Sequence, residues 1–347
     1  MGRKATARRD QAQRGAWLLR SDRRYADAAL ALAERSRAIS WPNPNVGCVV
    51  VKAGRVVGRG WTQPGGRPHA EAMALLQAGD AARGATLYTT LEPCAHDSIR
   101  GPACADLIAR AGVAHIVIGL RDPDPRTDGQ GASRLEAAGV ATEFAADAEP
   151  AKRSLSGWLM QQQAQRPLIT LKLAVSLDGC IATAAGDSQW ITSKAARAHV
   201  HLERARTNLI IVGRRTYDAD QPRLDVRLDG LETRSPARAL LSQSVKADDW
   251  LTLDTPAAII GHPAHYAMIE GGAGAAAAFV KAGLVDRLLI YRAPILIGGG
   301  LPCLGDTGLD ALGAAHGQWQ CVDTRAFGVD RLEVYAHCGA QTNGARR

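Results

Sequence analysis

The sequence predicts an α/β protein built from two consecutive units. Three observations carry that expectation. Short apolar runs alternate with helix-length segments along nearly the whole chain. The alternation is interrupted once, by a polar stretch ending in proline. And 347 residues are long for one domain but comfortable for two.

The elements follow in order. Tyr25, Ala29, Leu30 and Leu32 recur at helical spacing, predicting a helix from Arg24 to about Ala38. Pro42-Asn43-Pro44-Asn45 cannot be helical and marks a turn. Gly47 to Val51 reads as a strand, Lys52 to Arg55 as a turn, and Val56 to Trp61 as the returning hairpin partner. A helix is expected from His69 to Gln77, a strand over Thr86 to Thr90, a helix over Ala103 to Arg110 and a strand over His115 to Leu120. A helix from Ala132 to Ala138 and a strand from Val140 to Phe144 complete a three-layer α/β sandwich.

Residues 148–163 read as a connecting helix, and the polar run Gln161 to Arg166 before Pro167 marks the domain boundary. This gives a basic extension (1–22), a first domain (23–147), a connection (148–167), a second domain (168–340) and a tail (341–347). In the second domain, strands are expected over Leu168 to Val175, Leu209 to Val212 and Ala267 to Glu270, with short ones near Ala239 and Ala257. Helices are expected over Ser193 to Arg206 and Ala275 to Ala282, and the last strands over Val285 to Tyr291, Gln318 to Asp323 and Arg331 to Ala336. Gly298-Gly299-Gly300 reads as a loop at a strand exit.

Composition narrows the class. Hydrophobic residues at 46% and charged residues at 22% exclude a disordered chain. No apolar run approaches the ~18 residues that span a bilayer, and the cluster Ala16 to Leu19 is too short for a signal region. Seven cysteines, an odd number in a long chain, point to a reducing, cytoplasmic setting. The net charge of +8 is concentrated: residues 1–24 hold eight Arg or Lys against Asp10 and Asp22, and Arg346 with Arg347 supplies the rest. That pattern reads as a solvated extension, and aromatics at 5% leave few stacking platforms, so no nucleic-acid partner is expected.

The informative constellation is His69-Ala70-Glu71, Pro93-Cys94 and Cys104. One imidazole and two thiolates suit zinc, and three protein ligands leave a fourth tetrahedral position for water. Zinc lowers that water's pKa to about 7, and Glu71, displaced by two residues from the ligand His69, suits proton transfer to a leaving amine. His-x-Glu followed by Pro-Cys is the signature of zinc nucleobase deaminases. His69 and Glu71 open one expected helix and Cys104 another, where the partial positive charge of helix starts favours thiolates. The wide spacing of Cys94 and Cys104 leaves a loop able to close over a substrate. Its His96 is read as a substrate contact rather than a fourth ligand.

Pro42 to Val50, Pro68-His69-Ala70-Glu71 and Leu91-Glu92-Pro93-Cys94-Ala95-His96 resemble the deaminase domain of the bifunctional riboflavin-biosynthesis deaminase–reductase family. Leu171 to Gly179 and Ser188-Gln189-Trp190-Ile191-Thr192-Ser193 resemble its reductase domain, so the resemblance covers residues 24–340 in the right order. It implies a cytidine-deaminase-like domain followed by a dihydrofolate-reductase-like one, and zinc and NADPH as cofactors. The reactions implied are removal of the 2-amino group of a diaminopyrimidine ribosylamine phosphate, then reduction of its ribosyl chain to ribityl. By motif, His69, Cys94 and Cys104 would bind zinc, Glu71 would move protons, and Asn45 and His96 would contact the base. A homodimer or homotetramer is implied by the family alone.

For the reductase, the strand–helix turn Glu270-Gly271-Gly272-Ala273-Gly274 suits a pyrophosphate, although it is not the Gly-x-Gly-x-x-Gly of a Rossmann unit. Gly213-Arg214-Arg215-Thr216 resembles the turn that binds a nucleotide 2′-phosphate, with Arg214 or Arg215 selecting NADPH. The resemblance adds Ala174, Trp190 and Asp220 to the cofactor site, and Lys172, Ser188, Arg204, Leu224, Arg227 and Glu270 to the substrate site. Arg204 has the alternative of capping carbonyls at its helix end.

Three departures from the family pattern stand out. The Cys94–Cys104 loop around Arg100 is one residue longer. The usual Asp-Pro-Asn-Pro is Asp122-Pro123-Asp124-Pro125, and the usual Ala-Asp-Asp-Pro is Ala219-Asp220-Gln221-Pro222. Two other readings stay open at this stage. One is a nucleic-acid base deaminase with an unrelated second half; the other is a nucleotide-binding protein with structural zinc and no reduction.

Overall fold

The computed structural model describes residues 23–96 and 99–339. The expectations for the basic extension and the tail lie outside the described residues. The chain divides into two compact units, one up to Gln162 and one from Gln163 onward.

The first unit is a five-stranded sheet of order β2-β1-β3-β4-β5. Its strands are β1 (Gly47–Lys52), β2 (Arg55–Trp61), β3 (Thr86–Thr89), β4 (His115–Ile118) and β5 (Ala141–Phe144). The hairpin β1–β2 and the pair β1–β3 are antiparallel, whereas β3, β4 and β5 run parallel. Alternation along β1 sends Cys48 and Val50 to one face and Val49 and Val51 to the other, and each face has its own core. On one side pack α2 (Ala70–Ala78), α3 (Cys104–Arg110) and α4 (Gln130–Ala137); on the other, Tyr25 and Ala29 of α1 (23–33). That is the three-layer sandwich. α5 (Glu149–Ser154) and α6 (Ser156–Ala164) divide the expected connecting helix in two. The first helix ends at residue 33 rather than near Ala38, because the Ser36 hydroxyl bonds the Ala33 carbonyl and diverts the backbone into turns.

Small residues set how close α2 lies to the hairpin. A Cβ on Gly60 would fall 2.0 Å from the Ala70 carbonyl, and one on Gly58 would fall 2.1 Å from that of Ala74. The N-terminus of α2 is thereby fixed against β2.

The second unit is an eight-stranded sheet of order β10-β9-β8-β11-β6-β12-β15-β14. The strands are β6 (Leu168–Val175), β8 (Leu209–Gly213), β9 (Ala237–Leu241), β10 (Leu251–Leu253), β11 (Tyr266–Glu270), β12 (Arg287–Arg292), β14 (Trp319–Phe327) and β15 (Asp330–His337). All neighbours are parallel except β12–β15 and β15–β14. α7 (Lys194–Arg204), α8 (Arg214–Asp220) and α9 (Ala273–Lys281) connect them, and β7 (Cys180–Ala182) pairs with β13 (Leu301–Pro302) in a separate ribbon.

Two expectations are corrected here. The strand near Ala257 is a 3-10 turn, Pro256–Ile259, because Pro256 supplies no N–H for a ladder; the strand lies earlier, at β10. The turn Gly213 to Thr216 is instead the start of α8, with Gly213 in the N-cap position and an Arg214–Asp218 pair along the helix.

Gly60→Ala is expected to lower unfolding free energy by about 1–3 kcal/mol, since backbone rather than a flexible side chain must move. Urea denaturation of the two proteins checks this; equal midpoints would show that the contact yields freely.

Candidate functional site

In the first unit, three elements deliver three ligand atoms to one place. His69 precedes α2 in extended conformation, and its side chain makes no cap bond, which leaves the imidazole free. Cys94 follows β3, and Cys104 opens α3. His69 Nδ1 lies 3.3 Å from Cys104 Sγ and 3.6 Å from Cys94 Sγ, and the three ligand atoms all lie within 4.8 Å of one another. Ligands at about 2.1–2.3 Å from a tetrahedral zinc stand roughly 3.5–3.8 Å apart. The donor set and its spacing therefore fit zinc. The Cys104 backbone N–H donates to Cys94 Sγ at 3.3 Å. Hydrogen bonding from the Cys104 thiol lowers the Cys94 pKa to about 4 against the opposing effect of burial, and the shared proton correspondingly raises Cys104.

Glu71 is buried beside this cluster and accepts the Thr89 hydroxyl at 3.0 Å. Burial raises its pKa, with the nearby His69 charge opposing. Two asparagines of the 42–45 turn diverge. The Asn43 amide nitrogen lies 3.0 Å from His69 Nε2 and donates to the Gly66 carbonyl at 3.0 Å. Asn45 is buried and donates to the Ser154 carbonyl at 3.1 Å. The structure brings Asn43, which the sequence reading did not single out, beside the histidine of the cluster.

His96 follows Cys94 by two residues, with Nδ1 buried and without a hydrogen-bond partner among the described residues. In the same loop, Arg100 donates to the Gly65 carbonyl at 3.1 Å. Glu92 was not singled out from sequence, yet its buried carboxylate accepts backbone N–H groups of Asp122, Gly129 and Ala132 at 3.0–3.2 Å. That fastens the 122–132 segment beside Pro93 and Cys94. Within the segment, burial, with Asp124 and Glu92 adding to it, pushes Asp122 up to about 7. The Asp124 carboxylate is taken up by Arg126.

The second unit encloses a cavity of about 1270 Å³. Ala174, Ser188, Trp190 and Asp220 line it, as do Arg214, Arg215 and Thr216 at the start of α8. Gly271 and Gly272 have φ of 93° and 75°, and a Cβ on either would meet Thr216 at about 3 Å. This narrow cradle leads into α9, whose first turn faces the cavity through Ala273, Gly274 and Ala275. Backbone of that form fits a pyrophosphate, and the cavity's size fits a dinucleotide with a second ligand.

Glu270 at the end of β11 is buried at the cavity wall. Arg204 grips it bidentately at 2.7 and 2.9 Å and donates to the Asp225 carbonyl at 2.9 Å, while Lys172 Nζ stands 3.7 Å away. Burial alone would raise the Glu270 pKa; Lys172 and Arg204 overcome it and hold the group near 2. Arg227 also lines the cavity. Leu224 does not: its side chain packs with Ile210, Val212 and Leu240, so only its backbone is offered. Gln221 closes α8 in a left-handed conformation and is not among the lining residues. The loss of a carboxylate there leaves the cavity wall itself unchanged. Arg214 is fixed by Asp218 at 2.7 Å and Ser244 at 2.8 Å, whereas the Arg215 side chain has no partner among the described residues.

Comparison with known proteins finds a relative for each half. Residues 19–120 match the family described as the cytidine and deoxycytidylate deaminase zinc-binding region. Residues 167–265 and 261–332 match the RibD C-terminal domain. The riboflavin biosynthesis protein RibD of Aquifex aeolicus is 35% identical over 329 residues, covering 84% of this chain and 92% of that protein. RibD of Escherichia coli is 36% identical over 326 residues, covering 80% and 89%. Among solved structures, the diaminohydroxyphosphoribosylaminopyrimidine deaminase/5-amino-6-(5-phosphoribosylamino)uracil reductase of Thermotoga maritima superposes with a TM-score of 0.83 at 28% identity, covering 92% of this chain and 99% of that one. With both family regions in order and relatives matched along most of their length, the chain belongs to the RibD family of riboflavin biosynthesis proteins.

Proposed function

We propose that the chain carries out two consecutive steps on one pyrimidine nucleotide. The first is hydrolytic deamination of the diaminohydroxyphosphoribosylaminopyrimidine; the second is NADPH-dependent reduction of the resulting 5-amino-6-(5-phosphoribosylamino)uracil. The observation that carries the reading is the convergence of His69, Cys94 and Cys104 beside the buried carboxylate of Glu71. The cavity with a glycine cradle in the second unit supports the reductive step.

In the deaminase half, His69, Cys94 and Cys104 would hold zinc, which when bound supplies Lewis-acid activation of water at neutral pH. Glu71 moves the proton. The Thr89 hydroxyl holds its Oε1, and the carboxylate takes a proton from the attacking water and returns it to the departing 2-amino nitrogen. The Asn43 amide nitrogen stands beside the far side of the His69 ring and donates to the Gly66 carbonyl, which fixes the turn next to the ligand. His96, on the loop between the two cysteines, and Asn45, whose amide nitrogen is held by the Ser154 carbonyl, contact the base.

In the reductase half, NADPH supplies the hydride. Gly271 to Gly274 and the start of α9 receive its pyrophosphate, Arg214 and Arg215 its 2′-phosphate, and Ala174, Trp190, Thr216 and Asp220 complete the wall. Lys172 and Glu270 face the substrate, with Arg204 holding Glu270 in place, and Ser188 and Arg227 bind the phosphate. The reading carries with it a cytoplasmic homo-oligomer acting on small molecules; no helix among the described residues is long and apolar enough to cross a membrane.

Ammonia release and NADPH absorbance, followed separately on purified protein with the diaminopyrimidine phosphate, test the two halves. Ammonia without NADPH consumption would leave the deaminase alone. Glu71→Gln is expected to keep zinc while losing deamination by roughly 10²–10⁴-fold, with reduction of added 5-amino-6-(5-phosphoribosylamino)uracil unchanged. Loss of the metal in that variant would make Glu71 a ligand instead. In an Arg214→Ala, Arg215→Ala double variant, the NADPH/NADH ratio of kcat/KM is expected to fall by roughly ten- to a hundredfold. An unchanged ratio would move 2′-phosphate recognition elsewhere.

A further inference from the structure

His201 lies on the cavity side of α7, three residues before Arg204. The backbone N–H of Arg227 donates to His201 Nδ1 at 3.2 Å. An imidazole accepting at Nδ1 carries its single proton on Nε2 and is neutral. The segment it grips, 221–227, has neither helix nor strand, so its course depends on individual fastenings. Two others are the Arg204 guanidinium on the Asp225 carbonyl at 2.9 Å and the Ser235 hydroxyl accepting the Val226 N–H at 2.9 Å. The His201 bond fastens the Arg227 backbone, the Arg227 guanidinium stands 3.5 Å from the Asp225 carboxylate, and Arg227 and Leu228 beyond it line the cavity.

We propose that His201 is a positioning residue of the reductase half: by accepting the Arg227 N–H it fixes the 221–227 segment and sets the Arg227 guanidinium against the substrate phosphate. This rests on the reductase reading above. It concerns a residue that neither the sequence motifs nor the dinucleotide cradle singles out.

The surroundings keep His201 in the accepting form. Arg204 on its own helix, Arg227 and Asp225 on the segment, and Glu270 at the end of β11 with Lys172 beside it are the charged groups around it. Burial first, then the Arg204 and Arg227 charges, hold its pKa below the usual 6.5 against the Asp225 backbone carbonyl and the Glu270 charge, so it is neutral at pH 7. As pH falls through that lowered value, the second proton goes onto Nδ1. The acceptor becomes a donor facing the Arg227 N–H, and the fastening is lost. The KM for the phosphorylated substrate therefore rises on the acid side.

The test measures reduction of 5-amino-6-(5-phosphoribosylamino)uracil between about pH 5 and 8 in wild type, His201→Ala, His201→Asn and Arg227→Ala. His201→Ala is expected to raise the substrate KM roughly five- to tenfold at neutral pH, with kcat and the NADPH KM held within about twofold. His201→Asn places a non-titrating carbonyl oxygen near the Nδ1 position. It should keep the neutral-pH KM and flatten the acid rise. The substrate phosphate titrates identically in every variant, so the difference between wild type and His201→Asn belongs to His201. Adding His201→Ala to Arg227→Ala should raise KM no further. A wild-type KM in His201→Ala, or an undiminished acid rise in His201→Asn, overturns the proposal alone. A wild-type protein that oxidises no NADPH overturns the reductase reading, and this proposal with it.

Discussion

Three ligand atoms from three separate segments meet within 4.8 Å only because the helices that present two of them are seated on the sheet without slack. α2 rests on β2 through glycine–alanine contacts that admit no extra carbon, so His69 and Glu71 leave its first turn at a set height above the strands. α3 begins at Cys104, and the backbone N–H of that residue already points at the other sulfur. Glu92 holds the neighbouring 122–132 segment by three backbone bonds, so the strand end carrying Cys94 is braced from the far side. Packing and backbone hydrogen bonds thus help to place the three ligand atoms. This is the condition under which a carboxylate two residues from a ligand can stay free for proton transfer.

The second unit solves a different electrostatic problem. It buries a carboxylate at the wall of a cavity destined for phosphorylated ligands. Glu270 survives there as an anion because Lys172 and Arg204 offset its desolvation. The same arrangement tempers the positive potential of the cavity and leaves Arg215, which has no partner among the described residues, at its wall. Arg204 contributes twice, since its remaining donor fastens the Asp225 carbonyl and so links the carboxylate to the 221–227 segment.

Much of this was legible in the sequence, for physical reasons. β1, β2 and β6 announced themselves through apolar runs, and the His69, Cys94 and Cys104 set through residue chemistry that few core positions mimic. What escaped was what periodicity does not encode. α8 is only seven residues long, with Tyr217 and Ala219 its only apolar positions, so it read as a turn. β7 and β13 are too short to show alternation and exist through pairing between distant parts of the chain. Asn43 shares a turn with Asn45, and only the three-dimensional course of that turn brings its amide beside His69. At Leu224 a motif match names a residue whose side chain packs in the core, which an apolar residue type alone does not distinguish from a site position.

The central claim is that one imidazole and two sulfurs of this chain hold a zinc ion. Zinc X-ray absorption on the purified full-length protein tests it most directly. The account predicts one zinc per chain with two sulfur neighbours at about 2.3 Å and two lighter neighbours at about 2.0–2.1 Å. A spectrum with four sulfurs or none, or a protein that retains no zinc, would contradict it.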